Sequence, residues 1–194
     1  ADFVGSRFDE SGNPYGNQDT TFRVFKISLG DNEANNTDYA EWPLDFGAPV
    51  KENGLPLIYG DQTLWCCFTD AIENQRNYNI CSPLFAEIHF TVWGTKALDN
   101  IIFLRWEIFN KSDSLWRDSF VGFFVDADIG FSNNNSVGSD SSLSMVYTFE
   151  QKEYQLIDST FAVSYTVLES PVVESSGDTA ITLSGLLPNF KNTN

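Results

Sequence analysis

Basic residues are scarce in this chain. Its 194 residues include 11 Lys and Arg against 27 Asp and Glu, a formal charge of −16. A nucleic-acid partner needs a basic footprint, so that class is excluded. Attraction to anionic lipid is excluded by the same imbalance. Histidine occurs once and cysteine three times. That is too little for a zinc-finger spacing or a disulfide scaffold. No run approaches the ~20 apolar residues of a membrane span, so membrane insertion is not expected. No segment shows a convincing helical period. There is no GxSxG elbow, no phosphate loop and no dinucleotide fingerprint.

What the chain does have is aromatic bulk and strand patterning. Seventeen Phe, seven Tyr and five Trp can fill a large core. Phe22 to Leu29, Thr63 to Phe68, Ala86 to Trp93, Ile101 to Phe109, Phe120 to Val125, Leu143 to Phe149, Phe161 to Leu168 and Ala180 to Leu183 read as strands. Gly, Asn and Pro punctuate them. Eight or nine short strands predict an all-β chain, an antiparallel β-sandwich or jelly-roll-like fold. Residues 1–20 read as an N-terminal arm or linker, and residues 21–194 as a single domain. Trp42 to Pro56 holds three Pro and two Gly, which predicts an ordered, irregular excursion. The chain opens on Ala1 and ends in LPNFKNTN, so a fragment of a longer chain is expected.

The stretch VGFFVDADIGFSNNNSVGSDSSL, residues 121–143, carries the clearest constellation. Asp126 and Asp128 follow an apolar strand, Gly130 permits a turn, and Asn134 and Asp140 add oxygens. Calcium takes six to eight such oxygens at flexible angles. A structural Ca²⁺ at Asp126, Asp128, Asn134 and Asp140 is therefore expected, pinning the loop. The plainer reading is an Asp/Asn turn that caps its own backbone. The spacing is not that of an EF-hand, since Phe131 and Val137 stand where that loop needs Gly and Glu.

Other residues compete for a role. Cys66 and Cys67 point to opposite faces of a strand. One of them, Cys67 for preference, can bridge to Cys81 across a short loop; the plainer reading is buried free thiols. His89 alternates with Glu87 and Thr91 onto a polar face, which predicts a solvated histidine. Glu87, Glu107 and Asp126 offer the carboxyls a glycosidase needs, though no acidic strand motif marks a catalytic pair. Trp42, Trp93 and Trp116 fall in loops or at strand ends, where exposed indoles can stack on sugar rings; core packing is the alternative. Asn35, Asn110 and Asn134 head glycosylation sequons, which matter only in a eukaryotic secretory route.

Several blocks resemble a family of large, mostly uncharacterised bacterial extracellular proteins. Those proteins carry a C-terminal sorting domain and leave the cell by the type IX secretion route. The blocks are DYAEWPLDFGAPVKENGLPLIYGDQTLWCCFTD, LDNIIFLRWEIFNKS, VGFFVDADIG with VGSDSSLSMVY, and FAVSYTVLESPVVESSGDTA with LPNFKN. They run in order from about Phe22 to Lys191. The resemblance implies a secreted or cell-surface protein and no established activity or catalytic residues. The family often has Cys where this chain has Ser139, and this chain has the extra Cys67 and Cys81, so no family disulfide carries over. The expected function is a structural or adhesive module stabilised by calcium. Its partners would be other surface proteins, further copies of itself in a fibre, or glycans. A carbohydrate-binding module is the alternative, and a polysaccharide hydrolase the weaker one.

Overall fold

A computed structural model describes residues 5–15, 22–72, 82–117, 119–130, 135–150 and 161–169. The chain divides into two compact units, Ala1–Arg117 and Asp118–Asn194. Each holds one antiparallel sheet, so the architecture is all-β with almost no helix. Seven strands lie among the described residues. The expected strand at Ala180 to Leu183 falls outside them.

In the first unit, β1 (Phe25–Ser28), β2 (Gln62–Thr69), β3 (Ala86–Gly94) and β4 (Ile102–Asn110) form a four-stranded sheet in the order β1-β2-β3-β4. Alternating β-branched and aromatic residues suit a pleated sheet buried on one side. The β3–β4 turn is held from outside: Asp61 Oδ2 accepts the Lys96 N–H at 2.5 Å and the Thr95 hydroxyl at 2.8 Å. A short excursion of one helical turn, α1 (Thr37–Ala40), and a 3-10 turn at Leu44–Phe46 lies between β1 and β2. Asn36 caps α1 by accepting the Asp38 N–H at 2.9 Å.

One face of this sheet is covered by irregular chain. Phe25, Ile27, Trp65 and Cys67 project from it onto Trp42 and Ala48, with Tyr39, Phe46 and Ile58 packed alongside. The Trp42 indole donates to the Pro49 carbonyl at 3.0 Å, so its polar edge is satisfied inside the core. Residues 5–15, expected as an arm, are tied down. Phe8 pairs with Pro14, and both Phe8 and Ser6 are buried.

The same face carries Glu87, His89 and Thr91 from β3, all buried. The expectation of a solvated His89 is thus overturned. Alternation separates two faces, but the loops over the sheet decide which one is inside. The apolar set on the opposite face is the more open one. Ile88, Phe90 and Val92 are only half-buried, and Ile102, Leu104, Trp106 and Ile108 are exposed. Thr63 to Phe68, expected to be covered on both faces, also alternates between buried and half-buried.

In the second unit, β5 (Asn135–Asp140), β6 (Met145–Glu150) and β7 (Ala162–Thr166) form a three-stranded meander. β5 falls where a loop was expected. Its polar sequence hides it, because Gly138 lies under the ring of its cross-strand partner Tyr147, a contact that leaves no room for a Cβ. Phe120 to Val125, expected as a central strand, lies outside both sheets, with Phe120 84% and Phe124 88% exposed.

Candidate functional site

Antiparallel pairing of β2 with β3 sets Cys67 directly opposite His89 and Thr69 opposite Glu87. Side chains two apart on one strand share a face, so Glu87 and His89 both turn to Cys67. The Cys67 sulfur, a Glu87 oxygen and a His89 nitrogen all lie within 4.8 Å of one another. All three residues are buried, at 2%, 4% and 7% exposure. Among the described residues this is the one group of three or more such side chains close enough to share an ion.

The surroundings fix each member. Glu87 Oε1 lies 3.0 Å from His89 Nε2, and Glu87 Oε2 accepts the Phe8 N–H at 2.7 Å. Lys111 Nζ is 3.7 Å from Oε1. Burial alone would push the Glu87 carboxyl up. The hydrogen bonds from His89 and the Phe8 N–H, with the Lys111 and His89 charges, more than offset it and hold the carboxyl below the usual glutamate range. An ionised carboxylate only accepts, so His89 Nε2 carries the proton it donates.

The imidazole is wedged on its other sides. Trp65 and Phe109 pack their rings against it at 5.6 Å and 4.7 Å. Gly47 ends the 3-10 turn with φ +87°, and a Cβ there would sit 2.5 Å from His89 Cε1 and 2.8 Å from Nδ1. Glycine is needed at this position both for the backbone and for the space.

Cys67 is a free thiol whose Sγ donates to the Ser6 carbonyl at 3.4 Å. Burial, aided by the Glu87 charge, pushes it up to about 12. At neutral pH it is not a thiolate, and the protonated form is a poor nucleophile. The cluster therefore lacks the activated sulfur of a cysteine hydrolase despite its resemblance to a Cys-His-Glu set. A metal ion is the partner that converts such a thiol into a ligand.

The residues singled out from the sequence are distributed differently. Asp126 and Asp128 are exposed. Asp140 Oδ1 accepts from the Ser142 N–H at 2.9 Å, the Ser142 hydroxyl at 2.6 Å and the Leu143 N–H at 3.3 Å, which caps the β5–β6 turn. Asn134 lies outside the described residues. The bend after Asp128 is fastened by Asn135, whose carboxamide accepts the Ile129 N–H and donates to the Ile129 carbonyl, both at 2.8 Å.

Cys81, the proposed partner of Cys67, also lies outside the described residues. Trp42 is 4% exposed and offers no face to a sugar. Trp93 is half-buried and stacked on Phe103 at 5.3 Å, with Tyr59 5.0 Å away. Trp116 is half-buried. Glu107 pairs with Arg105 at 2.8 Å.

No family model, no curated protein and no solved structure matches the chain. Among the described residues no helix is long and apolar enough to cross a membrane.

Proposed function

We propose that the chain is a structural or adhesive β module of a secreted or cell-surface protein, and that copies of it associate through the open face of the four-stranded sheet. The observation that supports this most is the chemistry of that face. β2 contributes Leu64, Cys66 and Phe68, β3 contributes Ile88, Phe90 and Val92, and β4 contributes Ile102, Leu104, Trp106 and Ile108. No charged side chain interrupts these three rows, although the chain as a whole carries −16. Two acidic copies repel over most surfaces, and an uncharged row is where they approach at least cost. Contiguous apolar surface of this kind marks an interaction site. Face-to-face packing of two sheets, ~10 Å apart, is the ordinary way to cover it.

The export expectation rests on the acidic composition and on the resemblance of the sequence blocks. The reading does not call on calcium, because Asn135 holds the bend and Asp140 serves its own turn.

Sedimentation velocity over a range of concentrations tests the proposal. Self-association is expected, weakened at least tenfold by Leu104→Lys and by Ile102→Lys. Monomer at every concentration, or association that both lysines leave untouched, would overturn it.

A further inference from the structure

We propose that Cys67, Glu87 and His89 are the protein ligands of a single zinc-class divalent cation. This goes beyond the assembly reading and does not depend on it.

The donor set argues for the class of ion. One sulfur, one imidazole nitrogen and one carboxylate oxygen match a borderline cation such as Zn²⁺. Calcium wants oxygen donors alone and is a poor fit. The spacing argues for a shared ion. The 3.0 Å between His89 Nε2 and Glu87 Oε1 is close to the ~3.3 Å edge of a tetrahedron with ~2.0 Å arms. Three atoms no more than 4.8 Å apart place a central cation within about 2.8 Å of each, so a closure of roughly half an ångström reaches bonding distance.

Rigidity favours the same outcome. Cys67 and His89 are register partners, and Glu87 and His89 share one strand. Gly47 and the rings of Trp65 and Phe109 keep the imidazole in place.

Charge favours it too. A thiolate, a carboxylate and a neutral imidazole cancel a dication, whereas the metal-free cluster buries a carboxylate whose cationic neighbour Lys111 stands 3.7 Å away and partly in solvent. The next pair along the same face, Trp65 and Thr91, has buried side-chain atoms without a hydrogen-bond partner, Trp65 Nε1 and Thr91 Oγ1. Unpaired buried polar atoms are destabilising. A water held as fourth ligand is the kind of partner this strip lacks.

Binding balances simply. The Cys67 thiol gives up its proton to solvent as the S–metal bond forms. The proton on His89 Nε2 leaves that nitrogen for Nδ1 or solvent, which frees Nε2 as ligand. Metal binding thus releases protons.

The test uses Co²⁺ as the probe, added to the full chain both in the native state and during refolding, since the cluster is buried. One equivalent is expected to give a near-ultraviolet thiolate-to-cobalt charge-transfer band that Zn²⁺ abolishes. The band should survive Cys66→Ser and Cys81→Ser and vanish in Cys67→Ser. Glu87→Gln and His89→Gln should each weaken binding at least tenfold. Should Cys67→Ser fail to fold, the two glutamine variants decide. No band, a band that follows Cys66 or Cys81, or unchanged affinity in both glutamine variants would overturn the proposal.

Discussion

The two units make their sheets from similar strands and cover them in opposite ways. In the first, irregular chain from residues 5–15 and 37–58 closes over one face, and Phe25, Ile27, Trp65 and Cys67 become a true core. In the second, the meander is only partly covered. Val137 is 71% exposed, and the apolar stretch through Phe120 and Phe124 lies open. Strand patterning alone does not bury a sheet; what lies over it does. The first unit shows the consequence most sharply, because its loops cover the face that carries Glu87 and His89 and leave the apolar one open.

The largest expected contrast comes from removing an aromatic ring in each unit. Trp65→Ala opens the centre of the first core and should cost about 3–5 kcal/mol. Phe124→Ala removes an 88% exposed ring and should stay within ~0.5 kcal/mol. Urea denaturation of the two variants measures both. Equal effects would erase the distinction between the units.

Glycine substitutions sharpen it next. Gly47→Ala forces a Cβ against His89 from a left-handed backbone, with an expected loss of about 1–3 kcal/mol. Gly130→Ala meets the carboxylate of Glu150, again at positive φ. A carboxylate at the end of a flexible side chain yields more readily than a wedged imidazole. Gly130→Ala should therefore cost less than Gly47→Ala, and thermal melts compare them.

Protonation gives a smaller effect confined to the first unit. The folded state holds the Glu87 carboxyl below the ordinary glutamate value of 4.5. The unfolded chain therefore binds the proton more readily. The associated stability is complete above about pH 4.5 and drains away as pH falls through the lowered value. Denaturation curves of the metal-free protein between about pH 3 and 6 should show this slope, and Glu87→Gln should flatten it.

The smallest effect concerns the second unit. Calcium or EDTA is expected to leave the melt of Asp126→Asn and of the parent chain alike, because hydrogen bonds already hold the bend. A calcium-dependent rise in the parent that Asp126→Asn abolishes would show a structural ion there.

Much of the fold was legible. β1, β3, β4, β6 and β7 overlap runs of alternating or interleaved residues, and β2 overlaps a continuous apolar run, because strand patterning is a local signal. β5 was not, since a strand of Asn, Ser and Gly owes its place to Tyr147 rather than to its own pattern. The inside of the first sheet was not legible either. Phe8, Trp42 and Phe46 reach it from segments with no periodicity, and their arrival is a tertiary event. The cluster was hidden by distance in the chain. Cys67 and His89 stand 22 positions apart, yet they meet as soon as Thr63 is paired with Trp93. Treating the two runs as one antiparallel pair was the available clue.

The chain has a single histidine, so one imidazole resonance pair reports directly on which face of the sheet is inside. In ¹⁵N-labelled, metal-free protein, nuclear magnetic resonance should show a proton on Nε2. That proton should be protected from exchange and should shift in Glu87→Gln. A ring whose protons exchange freely with water, indifferent to Glu87, would contradict a buried Glu87–His89 pair and with it the inverted sheet.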